Sequence, residues 1–161
     1  PPDIDESVWD GELPLDYVFR LAREKAAAVD GDLVIAADTT VDVDGLIIGK
    51  PSDGDDARRI LRLLSGRTHH VHSAIAVRCG DRMASTATTS WVTFTSLDDT
   101  TIDWYVGTGE PFDKAGGYAI QGAGGVLVQS VQGSVSGVVG LPLAELIELF
   151  RSLGLDLLAT G

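Results

Sequence analysis

Four places in this sequence hold side chains able to do chemistry. Asp38 follows the apolar run Leu33-Val34-Ile35-Ala36-Ala37 and is followed by Thr39-Thr40. A carboxylate at the end of a buried strand can hold a metal ion or take a proton from water, because ligands of α/β sheets collect beyond strand ends. It can equally cap a turn. Lys50, between Gly49 and Pro51, can reach a phosphate, although Pro51 stands where a P-loop needs Ser or Thr. Lys114, in Asp113-Lys114-Ala115-Gly116-Gly117-Tyr118, offers a second cation beside glycines that let backbone approach a ligand, and Gln121 offers a two-sided amide for a base edge. The plain alternatives are a surface lysine and a glycine-rich turn. Near the start, Asp3, Asp5 and Glu6 form a carboxylate group, with Lys25 further along, and only convergence on Asp38 would make a metal site of it.

Other patterns point elsewhere. Asp42-Val43-Asp44-Gly45 looks like part of a calcium loop but lacks the later Glu, and Asp44-Gly45 suits a tight hairpin turn. His70 and His72 share a strand face at period two, yet no Cys or HExxH completes a zinc set around them and His69, so they read as strand histidines. Trp9, Trp91 and Trp104 are scattered and read as core or interface residues.

The elements that must position these groups follow from periodicity. Tyr17, Val18, Leu21, Ala22 and Ala26 recur at helical spacing within 16–29. Residues 33–37 form a continuous apolar strand, covered on both faces and ending at Asp38. Val41-Asp42-Val43 and Leu46-Ile47-Ile48 make a hairpin. Ala57, Ile60, Leu61 and Leu64 mark a helix capped by Ser52 or Asp53 and stopped at Gly66. Residues 69–77 and 83–94 favour paired strands turned at Cys79-Gly80-Asp81, and Ile102 to Val106 a short helix. The glycine-dense stretch 107–140 reads as strands and loops, and Leu143 to Leu153 as a closing helix before Gly154. The fold class is α/β: a mixed, partly antiparallel twisted sheet flanked by helices, with a ligand cleft, in one domain over 1–161.

Length and charge set limits. The 161 residues suit one self-sufficient core, and 44% hydrophobic against 22% charged is a globular composition. Net charge of −12 disfavours nucleic-acid polymers, and admits an anionic small molecule only where lysines and a divalent metal converge. No stretch is long and apolar enough to span a bilayer, and the single Cys79 leaves no intrachain disulfide. A reducing, cytoplasmic location with no membrane partner is expected.

The order of the motifs carries more than any one of them. Asp3-Ile4-Asp5-Glu6-Ser7, Arg20 through Ala26, Ala37-Asp38-Thr39, Gly49-Lys50-Pro51, Leu64-Ser65-Gly66-Arg67 with His69, Asp113-Lys114-Ala115-Gly116, Ala119-Ile120-Gln121-Gly122 and Val139-Gly140-Leu141-Pro142-Leu143 follow one another along nearly the whole chain. In this order they resemble the Maf-type nucleoside triphosphate pyrophosphatases, formerly described as septum-formation inhibitors.

The resemblance implies hydrolysis of a nucleoside triphosphate between its α and β phosphates, giving the monophosphate and pyrophosphate, with Mg²⁺ or Mn²⁺. It implies Asp38 as proton acceptor, Glu6 and Asp38 as metal ligands, Lys50 as a catalytic lysine, and Lys25 and Lys114 around the phosphates. Ala-Asp-Thr and Ile-Gln-Gly resemble the members acting on dTTP and UTP, with Thr39 and Gln121 as binding residues. The resemblance also extends the expected substrates to modified pyrimidine triphosphates, in a house-cleaning role. A homodimer is implied as well. Family members carry a Ser-x-Ser-Pro-Arg-Arg loop about thirty residues before the Asp-Glu motif. The sequence as written starts after that point, as expected of a fragment. Ser73 replaces the family's usual Thr and keeps the hydroxyl. The alternatives are a nucleotide-binding regulator of cell division that does not hydrolyse, and a metal-dependent phosphomonoesterase.

Overall fold

The computed structural model describes residues 3–157. The ends of the expected 1–161 domain, residues 1–2 and 158–161, lie outside them. Five helices, α1 (Pro14–Ala27), α2 (Gly54–Leu64), α3 (Asp99–Gly107), α4 (Val135–Val139) and α5 (Leu143–Ser152), surround one five-stranded sheet. Its strands are β1 (Leu33–Val43), β2 (Leu46–Ile48), β3 (Thr68–Cys79), β4 (Arg82–Phe94) and β5 (Val128–Gln132), in the order β2-β1-β3-β4-β5. The expected α/β class holds, and every pairing among the described strands is antiparallel.

α1 starts at Pro14, whose missing N–H costs nothing in a first turn, so it begins two residues before the expected start and ends before Val29. Val18, Leu21, Ala22 and Ala26 are its buried residues, and Val18, Ala22 and Ala26 pack against Val34, Ala74 and Ala76 of the sheet. Small residues on both sides let the helix lie close to β1. The opposite sheet face carries the larger core, in which Val41, Val71, Val92 and Phe94 meet Ile60, Leu61 and Leu64 of α2 and Ile102 and Tyr105 of α3. A third cluster packs Leu146, Leu149 and Phe150 of α5 against Ile75 and Val77.

β1 differs from the expectation in two ways. It runs on through Asp38 to Val43, with Asp38 opposite Ala74 of β3, so Asp38 sits within a strand and not at its end. Nor is it covered on both faces, because Val34 is buried while Leu33 and Ile35 are exposed. The continuation comes from the hairpin, where Val43 pairs with Leu46 across Asp44 and Gly45, both at positive φ (55° and 80°), as a two-residue primed turn requires. β2 reaches only Val41, so among the described strands β1 has one neighbour from Leu33 to Thr40.

In the glycine-dense stretch, three short 3-10 turns, Glu110–Asp113, Ala115–Gly117 and Ala123–Leu127, precede β5. The one α-helix that forms there, α4, is five residues long. Ser134 caps it by accepting from the Gly137 N–H, and Gly140 ends it at φ 119°. The three tryptophans are not core residues: Trp9, Trp91 and Trp104 are all exposed.

His69 is wholly buried among aromatic rings, with Nε2 at 2.8 Å from the Tyr118 hydroxyl and edge contacts to Phe94 and Tyr118. Burial first, then repulsion from His70, holds its pKa down at about 4, against a weaker opposite pull from Asp42. The folded chain therefore binds fewer protons than the unfolded chain between roughly pH 6.5 and 4, so stability is full above that window and lost as pH falls through it. The loss is on the order of 3 kcal/mol. Urea unfolding of the His69→Gln variant across this range should show a flatter pH dependence than the wild type; equal slopes would remove His69 as the cause.

Candidate active site

Lys25, in the last turn of α1, reaches the sheet beside β1. Its Nζ donates to Asp38 Oδ1 at 2.5 Å and lies 2.8 Å from Glu6 Oε1. Two carboxylates from distant parts of the chain thus meet at one ammonium. Burial pushes the Asp38 carboxyl above its usual range, Lys25 pulls it back, Glu6 repels it further, and Lys50 draws it down less strongly. Burial works against the Lys25 charge, but the bonds from Asp38 and Glu6 keep its pKa above the ordinary value.

Glu6 lies in an irregular segment fixed by Arg20, one turn before Lys25 on α1. Arg20 donates through Nε and Nη2 to the Glu12 carboxylate at 2.7 and 2.9 Å, and through Nη2 to the Ser7 carbonyl at 2.9 Å. Its guanidinium lies 4.0 Å over the Trp9 ring. Tyr17 donates to the Glu6 carbonyl at 2.9 Å, and the Asp5 carboxylate accepts from the Ser7 N–H. Asp5 therefore closes a local turn. Asp3 and Asp5 line none of the cavities described below.

The lysine loops converge through glycine. The Gly116 N–H donates to the Gly49 carbonyl at 3.1 Å, tying the Lys114 loop to the Lys50 loop. Gly116 has φ 72°, and a Cβ there would stand 2.7 Å from Val41 Cγ2, so no side chain fits. Beyond it, Glu110 holds the Gln121 loop by accepting from the N–H groups of Ala123 and Gly124, both at 2.9 Å, and from the Tyr105 hydroxyl at 2.8 Å. Burial raises the Glu110 carboxyl, and these three donors outweigh it and bring it below the usual value.

Three cavities with shared walls result. Glu6, Lys25, Asp38 and Lys50 line one of about 470 Å³. Asp38, Thr39, Lys50 and Lys114 line the next, of about 260 Å³. Lys114 and Gln121 line the third, of about 100 Å³. Glu6, Lys25, Asp38, Thr39, Lys50, Lys114 and Gln121 border this space, and Asp3 and Asp5 do not, but Thr39 is engaged on the far side of β1 from Asp38. Ser73 gives its proton to the Gly137 carbonyl at 2.5 Å and accepts from Thr39 at 2.8 Å, so the retained hydroxyl at position 73 ties β1, β3 and α4 together.

Sequence reasoning missed Arg20, Tyr17 and Glu110: Tyr17 lines the cavity of Glu6, Lys25 and Asp38, whereas Arg20 and Glu110 orient the site without lining it. Asp42 was set aside with the calcium-loop pattern, and the structure gives it to the histidines: its carboxylate faces His70 and His72 across the β1–β3 ladder, with ligand atoms all within 4.8 Å. The third ligand that the linear sequence lacked is a cross-strand neighbour.

Two substitutions test this architecture. Arg20→Ala should free the segment from Asp5 to Glu12 and cost about 1–3 kcal/mol in urea unfolding. Hydrogen exchange should quicken there and not in β3, and Arg20→Lys should restore little because the paired donors are lost. Gly116→Ala should cost about 2 kcal/mol or more through clash and strained φ. Wild-type stability in that variant would refute the close approach to Val41.

Comparison with known proteins identifies the relatives of this chain. The sequence profile described as Maf-like protein matches residues 1–153. A protein of Anaeromyxobacter dehalogenans (strain 2CP-1) named dTTP/UTP pyrophosphatase is 57% identical over 98% of this chain and 83% of its own length. Proteins of the same name from Methylobacillus flagellatus and Myxococcus xanthus are 49% and 48% identical, covering 99% and 96% of this chain and 83% and 81% of theirs. With the profile spanning nearly every residue and relatives at this identity, the chain belongs to the Maf-like protein family.

Proposed function

We propose that this chain hydrolyses dTTP and UTP between the α and β phosphates, releasing the nucleoside monophosphate and pyrophosphate. The observation that carries the reading is the row of three cavities with shared walls, from Glu6, Lys25, Asp38 and Lys50, past Lys114, to Gln121. It has paired acids and two amines at one end, a third amine midway and the Gln121 amide at the other, the polarity of a triphosphate joined to a base. The name these relatives carry, dTTP/UTP pyrophosphatase, supports the same substrates.

Phosphoryl chemistry depends mainly on placing the nucleophile and neutralising oxygen charge. In this reading Asp38, its carboxyl raised by burial, accepts the proton of the attacking water, and Lys50 and Lys114 face the phosphate oxygens. Lys25 holds Asp38 and Glu6 in place and adds positive charge. The pair fits a hard divalent cation, since two carboxylate oxygens already converge on one positive group. Glu6 and Asp38 would hold Mg²⁺ or Mn²⁺, whose chemistry is charge neutralisation at the phosphate and acidification of bound water. Gln121, whose side-chain amide makes no hydrogen bond among the described residues, is left to read the O4 and N3–H edge of a pyrimidine. Thr39 acts on this reading by setting the β1 backbone through Ser73 as much as by touching substrate. No helix among the described residues is long and apolar enough to cross a membrane. A cytoplasmic homodimer acting on free nucleotides completes the proposal.

Incubation with dTTP or UTP and Mg²⁺ should release pyrophosphate, and Asp38→Asn should lower kcat by about 10²–10⁴ while leaving triphosphate binding measurable. Release of single phosphate as first product would favour a phosphomonoesterase. Wild-type binding without turnover would favour the regulatory reading.

A further inference from the structure

We propose that Asp42, His70 and His72 form a second metal site, separate from the Glu6–Asp38 pair, that takes a divalent transition metal of the zinc type. Each residue offers one ligand atom, and the three atoms lie within 4.8 Å of one another. His72 Nε2 is 2.6 Å and His70 Nδ1 3.3 Å from Asp42 Oδ2. Tetrahedral zinc with bonds of about 2.0–2.1 Å separates its ligands by about 3.3 Å, so the set needs to open by less than about 1 Å at its tightest contact.

The sheet builds this arrangement rigidly. Asp42 and His70 are register partners in the antiparallel ladder, and His72 is two residues along on the same face. Two of the three ligands are already oriented from behind, as ligands of bound metals are. Asp42 Oδ1 accepts from the Gly45 N–H of the hairpin turn at 2.9 Å, and His72 Nδ1 is 2.9 Å from Thr89 Oγ1 on β4. That second bond leaves Nε2 of His72 as the atom aimed at Asp42.

Burial and charge favour a cation. Asp42 and His72 are buried, whereas the His70 side chain is 39% exposed and leaves a path for entry and a side for a water ligand. Among the described residues, the ion pairs of Asp42 are to these two histidines alone, with no lysine or arginine. Two imidazoles and one carboxylate suit zinc, cobalt or nickel, whereas magnesium prefers oxygen donors. The two sites therefore select different ions. A bound ion here would pin β1 to β3 four residues beyond Asp38 on the same sheet face.

The test uses the full chain stripped with chelator and kept in excess Mg²⁺. Zn²⁺ should bind at one equivalent and raise Tm by about 5–10 °C at a free concentration a hundredfold above Kd. Co²⁺ should give the visible absorption of a low-symmetry nitrogen and oxygen site. His70→Gln, at a half-exposed position, should keep the metal-free Tm and weaken Zn²⁺ binding by about tenfold or more. Glu6→Gln should bind Zn²⁺ as the wild type does. The proposal is overturned if His70→Gln titrates like the wild type, if Glu6→Gln abolishes binding, or if the wild type gives neither a zinc shift nor a cobalt spectrum.

Discussion

The site depends on one ammonium shared between two acids. Without Lys25, Asp38 and Glu6 would face each other in a partly buried place, and a chain carrying −12 net charge has little positive charge elsewhere to offset them. The half-buried lysine, its charge favoured by both partners, lets an acidic protein bring carboxylates together before any ligand arrives. α1 can deliver it because its buried stripe is mainly alanine and valine against alanines of β3, a close approach that bulkier pairs would prevent.

Close approach also governs the other end of the cavity. Gly116 lies against Val41, and Gly122 and Gly124 lie against Glu110 and Tyr105, where a Cβ would fall 2.0 Å from Glu110 Oε2 and 2.7 Å from the Tyr105 hydroxyl respectively. The glycine density of this stretch is thus a packing requirement. It lets irregular backbone run over the sheet, with the Ala123 and Gly124 N–H groups satisfied by the half-buried Glu110 carboxylate, and it brings Lys114 and Gln121 to the cleft in sequence order.

What could be read in the sequence was mostly local. The Asp44-Gly45 hairpin, the α2 cap at Asp53 and the β3–β4 pairing follow from residue chemistry over a few positions, and they are where the sequence places them. α4 was not legible because five residues show no helical period; its limits are set by Ser134 and Gly140. Asp38 was found as a chemical group but put at a strand end, since a carboxylate after an apolar run looks like a terminus when the neighbouring strand is unknown. The Asp42–His70–His72 group needed the β1–β3 register, and the role of Arg20 needed the path of the segment before α1. Both are long-range facts that no window of sequence contains.

Tyr17, Arg20 and Lys25 all project from α1, so one helix sets the direction of three contacts to Glu6, its flanking backbone and Asp38. Because each helical residue turns the next by about 100°, losing or gaining one residue between Tyr17 and Lys25 would swing one group away while leaving the others in place. Length change is therefore far more damaging inside this helix than at the tips of the hairpins, and phase along α1, more than the identity of any exposed residue on it, is what inheritance must preserve.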